Sequence, residues 1–401
     1  MRGIQLHQKG TSEYLVIHLS SFVSHWKISK SFNVDQGDGL PMIRRLIFFV
    51  FLLAALSAVS FAQNNFPAPV QGDFVINDFK FESGEVLPKL NLHYRTIGTP
   101  VKDGSGVVRN AVLIMHGTGG SGANFVNPTF GGVLFSAGGL LDATKYFIIL
   151  PDGIGHGDSS KPSHGLHAKF PHYGYNDIVL AQYRLITEGL KINHLRLVMG
   201  TSMGGMQTWL WGEKYPDFMD ALMPLASLPV QIAGRNRYFR RMVIDSIKND
   251  PEWKGGEYTT KPIHGLTSAI YTLTVMSSSP LQMQKRTPTR DAADKAFEAS
   301  IQSQVEHTDP NDMLYQFDSS RDYDPNPKLE AIKAPLYAIN SADDQVNPPE
   351  LGIVEKEIKR VKRGRYILIP ISDQTRGHGT HSIPAIWKNY LAELLDESNP
   401  K

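Results

Sequence analysis

None of the 401 residues is cysteine. Disulfides, a thiol nucleophile and thiolate metal sites are therefore excluded. Charge of one sign is scarce too: the formal net charge is +2, which gives no electrostatic ground for a nucleic-acid partner. Internal repeats and low-complexity tracts are lacking. The glycine run from Gly117 to Gly122 leads into neither a Lys-Ser/Thr pair nor a helical pattern, so phosphate cradling is not its expected role. What remains is an ordinary globular composition, 41% hydrophobic and 20% charged. The length suits one large α/β domain with an insertion.

The first 62 residues differ from the rest. Met42-Ile43-Arg44-Arg45 precedes the apolar run Leu46 to Leu56, and Ser60-Phe61-Ala62 offers small residues at the two positions read by signal peptidase. Residues 42–62 thus read as a signal peptide, which places the mature chain in the periplasm or outside the cell. Membrane contact is expected through that segment alone, whether it is cleaved or kept as an anchor. Residues 1–41 lack periodicity and read as a spurious extension ahead of a start at Met42. The body divides into a core over 63–228, a helical lid insertion over 229–330 and the rest of the core over 331–401.

Hydrophobic patterning predicts an antiparallel hairpin within Phe74 to Pro100. Short apolar strands follow at Ala111–Met115, Tyr146–Leu150, Leu195–Met199, Ala221–Ala226, Pro335–Ile339 and Tyr366–Ile369. Helical patterns at Tyr175–Leu190 and Met206–Tyr215 separate them. This alternation predicts a mostly parallel, doubly wound sheet. It breaks between Ala226 and Pro335, where helix-like stretches at Arg235–Asn249 and Asp291–Val305 make up the expected lid above the strand ends.

The densest chemical signal is Gly200-Thr201-Ser202-Met203-Gly204, a G-x-S-x-G pattern at a strand-to-helix junction. A serine there sits on a strained turn with its hydroxyl pushed clear of the backbone. Side chains at positions 200 and 204 would clash across that turn. A serine nucleophile needs a base and an acid, in the chain order Ser, Asp or Glu, His. Asp344 and His378 stand after two successive predicted strands and are the assigned partners. Its neighbour Asp343 is expected to be a solvated turn residue or cap, and His378 is preferred to His381 because its flanking glycines give the imidazole room to swing toward Ser202. The N–H groups of Thr118 and Met203 are expected to form the oxyanion hole. No cofactor or metal is called for. His378-x-x-His381 and His164-x-x-His167 have metal-like spacings, but both lie in glycine-rich loops.

These residues resemble the homoserine O-acetyltransferase-like branch of the α/β-hydrolases. The likeness runs from about Asn110 onward: the Gly200 to Gln207 elbow, Tyr146 to Gly153, Asp250 to Tyr258, Asp344 to Pro349 and Gly377-His378. It implies the α/β-hydrolase fold and supports Asp344 as the catalytic acid. In that family a lid arginine meets the carboxylate of homoserine. Here the matching position falls near Ile244, and Arg240 and Arg241 stand one turn earlier, roughly 5 Å along a helix axis. Both are candidate substrate-binding residues. The elbow carries Thr201 where the family usually has glycine, and the early loop reads His-Gly-Thr-Gly-Gly, as in esterases. The expectation is an exported serine hydrolase acting on a small-molecule acyl substrate. The alternative is acyl transfer to a small hydroxyl acceptor, with a homodimer paired through its lids as one arrangement.

Overall fold

The computed structural model describes residues 65–399. The proposed extension over 1–41 and signal peptide over 42–62 lie outside them. Eight strands form one sheet in the order β1-β2-β4-β3-β5-β6-β7-β8. The strands are β1 (Val70–Lys80), β2 (Val86–Ile97), β3 (Ala111–Met115), β4 (Phe147–Pro151), β5 (Leu197–Thr201), β6 (Leu222–Leu225), β7 (Leu336–Ser341) and β8 (Gly364–Ile369). β1 and β2 form the expected hairpin, and β2 runs antiparallel to β4. From β4 to β8 every pairing is parallel.

The central strands are continuous apolar runs because both faces of a parallel sheet are covered. Alternation still sorts their side chains. Leu113, Met115, Ile149 and Val198 face one core, while Val112, Ile114, Ile148, Leu150, Leu197 and Met199 face the other. Helix α1 (Tyr175–Arg184), followed by a π turn over Leu185–Gly189, and α2 (Met203–Lys214) supply residues to the first core. The C-terminal helix Pro384–Glu397 closes the second with Trp387, Leu391 and Leu394. Helix α2 starts at Met203, three residues earlier than the apolar periodicity suggests, because the helix begins directly at the nucleophile turn.

Between β6 and β7 the chain forms α3 (Gly234–Lys248), α4 (Ile263–Ser277), α5 (Pro280–Arg286), α6 (Arg290–His307) and α7 (Pro310–Asp318). Helix α3 packs on α4 and α7. Carboxylates fasten this insertion to the body. Asp312 accepts hydrogen bonds from the N–H and hydroxyl of Ser163 at 2.8 and 2.7 Å. Asp322 accepts the Tyr175 and Asn176 N–H groups, both at 2.8 Å, and so caps α1 from the far side of the insertion. Among the described residues no helix is long and apolar enough to cross a membrane.

Candidate active site

Ser202 sits between β5 and α2 with φ 54° and ψ −109°, a strained conformation for a residue with a side chain. The glycines around it leave no room for anything larger. A Cβ on Gly200 would lie 2.2 Å from the Gly204 carbonyl oxygen, and one on Gly204 would lie 2.1 Å from that of Met115. The turn therefore packs backbone against backbone and lifts the Ser202 hydroxyl off the end of the sheet.

His378 and Asp344 meet this serine. Ser202 Oγ lies 2.8 Å from His378 Nε2, and His378 Nδ1 lies 2.9 Å from Asp344 Oδ2. Asp344 is fully buried. Burial alone would raise its pKa, but the His378 charge and hydrogen bond, with the N–H groups of Asn347 and Val346, outweigh that and hold it below the ordinary carboxylate value. In this arrangement the carboxylate orients the imidazole, whose other nitrogen faces the hydroxyl.

The glycine-rich loop after β3 closes the other side. A Cβ on Gly117 would lie 3.3 Å from Ser202 Cβ, so the backbone leading into Thr118 runs directly beside the serine. Met203 is the first residue of α2, and its N–H has no intrahelical acceptor. The loop owes its position to two residues that the sequence did not single out. His116 Nε2 accepts the Gly153 N–H at 2.9 Å, which leaves Nδ1–H to donate to the Gly117 carbonyl at 2.8 Å. Burial lowers the pKa of His116, consistent with that neutral tautomer. Asp152, also fully buried, accepts from Gly122 N–H, Asp158 N–H and Arg95.

One expectation about a neighbour is corrected. Asp343 is not a solvated cap: it is only 8% exposed. It accepts the Ser341 hydroxyl at 2.5 Å and the Gly377 N–H at 2.9 Å, because the turn after β7 folds inward onto the histidine loop. His381, half-buried, stands beside the chosen histidine. Its ring stands edge-on to His378 with centroids 5.3 Å apart, and burial followed by the His378 charge pulls its pKa down to about 3.

A cavity of about 360 Å³ opens over Ser202. Its walls include Thr118, Phe130, Phe239, Arg240, Gln304 and His381. The two arginines separate here. Arg241 faces solvent, 64% exposed, and pairs with Asp245 at 2.8 Å, so it does not reach the cavity. One residue around the helix, Arg240 is 3% exposed and lines the cavity. It donates to Asn236 Oδ1 and Ser320 Oγ, and it lies 5.7 and 5.6 Å from the Phe239 and Phe317 ring centroids. No carboxylate among the described residues pairs with it. Tyr175 and Thr118 stand close by, yet neither Tyr175 OH nor Thr118 Oγ1 completes an aligned hydrogen bond.

Among the described residues, one cluster has metal-like spacing: His93, Asp152 and Asp158. The carboxylate of Asp152 is already committed to Arg95 and two N–H groups, so it is poorly placed to serve a cation. The His164/His167 and His378/His381 spacings form no such cluster among these residues.

Residues 110–363 match the model of the alpha/beta hydrolase fold family. The chain is 31% identical over 282 residues to a probable acyltransferase of Methanothermobacter thermautotrophicus, covering 70% of this chain and 85% of that one. Its identity to a homoserine O-acetyltransferase of Pelobacter propionicus is 29% over 342 residues, covering 76% and 90%. The crystal structure of esterase E22 shares the fold with a TM-score of 0.70 at 18% identity, covering 82% of this chain and all of the other. The sheet order, the strained serine turn and these likenesses agree, and the chain belongs to the alpha/beta hydrolase fold family, in its homoserine O-acetyltransferase-like branch.

Proposed function

We propose that this enzyme forms an acyl-enzyme on Ser202 and passes the acyl group to a small hydroxyl acceptor that carries an anionic group. The observation that carries this reading is Arg240, a buried guanidinium without an acidic partner among the described residues, in the same cavity as the Ser202–His378–Asp344 hydrogen-bond line. A guanidinium keeps its charge at any pH a protein meets, and leaving it buried and unpaired is costly. An anion brought by the substrate offsets that cost. The names of the two relatives above point the same way.

In the first half-reaction His378 takes the Ser202 proton as Oγ attacks the acyl carbonyl. The oxyanion faces the N–H groups of Thr118 and Met203, and collapse expels the leaving group with the proton from His378. In the second half, His378 takes the proton of the acceptor hydroxyl. That oxygen attacks the acyl carbon, the Ser202 ester bond breaks, and the proton returns to Ser202 Oγ. Asp344 holds the imidazole tautomer and offsets the imidazolium charge throughout.

Hydrolysis is the second reading, with water replacing the acceptor. Its support is the signal-like segment over 42–62, because an exported enzyme in the periplasm or medium would not meet cytoplasmic thioester donors. The test uses protein beginning at Gln63 and p-nitrophenyl acetate, with intact mass reporting an acetyl group on Ser202. Ser202→Ala should show neither the adduct nor turnover. Free acetate as the sole product with every hydroxy acid offered would favour hydrolysis. Turnover persisting in Ser202→Ala would refute both readings.

A further inference from the structure

We infer that the small substrate recognised beside Ser202 is a hydroxy carboxylate, or an ester of one, that lacks an ammonium group. This rests on the acyl-transfer reading above and narrows its acceptor. The cavity walls contain one permanent cation, Arg240, and no aspartate or glutamate among the described residues. Its other titratable walls are three histidines. His116 and His381 are held neutral by burial, and His378 is committed to Asp344. The cavity thus offers a counter-charge to an anion and none to a cation.

An α-amino acid acceptor would bring both charges. Its ammonium lies two bonds from its carboxylate carbon, so a carboxylate held by Arg240 draws the ammonium into the same cavity. There the cation would find amide and hydroxyl acceptors but no carboxylate, a short distance from the guanidinium. Of the four phenylalanines on the walls, Phe239 and Phe317 already lie beside Arg240, which leaves Phe125 and Phe130, whose ring faces offer a cation less than a carboxylate would. Asp318, at the end of α7 and one residue beyond the cavity-lining Phe317, is paired with Arg321. A hydroxy carboxylate brings the charge Arg240 lacks and nothing that must be neutralised. Thr118 Oγ1, buried at the cavity wall beside Tyr175 but making no aligned hydrogen bond, can turn to donate to the same carboxylate.

The test compares L-homoserine with 4-hydroxybutyrate, which differ only in the amino group. Binding to the Ser202→Ala protein beginning at Gln63 is followed by calorimetry, so that it reads the acceptor site without turnover. Product partition is followed separately in the active enzyme acetylated with p-nitrophenyl acetate. The expected result is 4-hydroxybutyrate favoured by about tenfold or more in both measurements. Arg240→Gln should remove 4-hydroxybutyrate binding, and Arg240→Lys should restore part of it. Gln304→Glu, which places a carboxylate on the cavity wall, should shift preference toward L-homoserine. L-homoserine binding as tightly as 4-hydroxybutyrate, or neither ligand responding to Arg240→Gln, would overturn the inference. Absence of an acetyl adduct in the active enzyme would instead strike the acyl-transfer reading, while the binding comparison would still decide the charge preference of the cavity.

Discussion

Asp343 Oδ2 accepts the backbone N–H of Gly377 at 2.9 Å, one residue before His378, while the next residue, Asp344, holds the His378 ring itself. Two consecutive carboxylates thus grip the same loop, one by its backbone and one by its imidazole. The helical insertion reaches this grip. Ser279 Oγ lies 3.4 Å from Asp343 Oδ2, and a Cβ on Gly377 would lie 3.2 Å from the Ser278 carbonyl oxygen. Gly377 has φ +59°, a conformation that favours glycine, so the loop enters His378 by one backbone route.

Substituting the two aspartates should therefore have unequal effects. Asp344→Ala removes the group that orients and stabilises the imidazolium, and kcat for p-nitrophenyl acetate should fall by roughly a thousandfold or more. Asp343→Ala frees only the loop, and kcat should fall about ten- to a hundredfold with KM little changed. It also leaves a buried N–H without a partner, which should cost about 1–3 kcal/mol in denaturant unfolding.

Gln282 on α5 donates to the carbonyl oxygens of Asp373 and Thr375 at 2.9 and 3.0 Å, fixing the segment just before Gly377. Gln282→Ala should lower kcat severalfold at unchanged KM, since the residue touches the histidine loop and not the cavity. Steady-state kinetics with a p-nitrophenyl ester separates the two parameters. A rise in KM alone would mean that α5 shapes the cavity instead.

Gly200→Ala places a methyl 2.2 Å from the Gly204 carbonyl oxygen, a contact that no side-chain rotation relieves. The strand end or the start of α2 must shift, at a cost of about 3 kcal/mol. Thermal unfolding should show a clear drop in Tm, together with lost labelling of Ser202 by a fluorophosphonate.

Glu213, half-buried on α2, has a side-chain oxygen without a hydrogen-bond partner, and burial raises its pKa from the ordinary 4.5 to about 7. Between those values the folded protein holds a proton that the unfolded chain has released. Stability linked to this group therefore falls as pH rises from 4.5 to 7 and stays lower above that. Glu213→Gln removes this penalty. Its Tm should exceed that of the wild type at pH 8, and the gap should close toward pH 5, as read by calorimetric scans across that range.

The sequence by itself determined the parts that obey a local rule. Apolar runs marked each core strand to within about two residues, because a strand buried on both faces leaves an unbroken apolar signature. The Gly-x-Ser-x-Gly spacing marked the serine turn, because backbone contacts of 2.1–2.2 Å forbid any side chain there. Chain order then pointed to the loops after β7 and β8, where loop geometry and the family likeness favoured Asp344 and the flanking glycines favoured His378. Only the tertiary structure decided the rest. Arg240 and Arg241 are adjacent and chemically alike, and what separates them is the rotation between consecutive helical residues against a particular wall of the fold. Asp343 looked like a solvated cap, yet its partners Gly377 and Ser279 lie far along the chain, where no local pattern points to them. His116 and Asp152 hold the loop beside Ser202 through contacts across strands β3 and β4. Local periodicity reports which residues must be buried; which charge is left unpaired in a cavity depends on segments that meet only when the chain has folded.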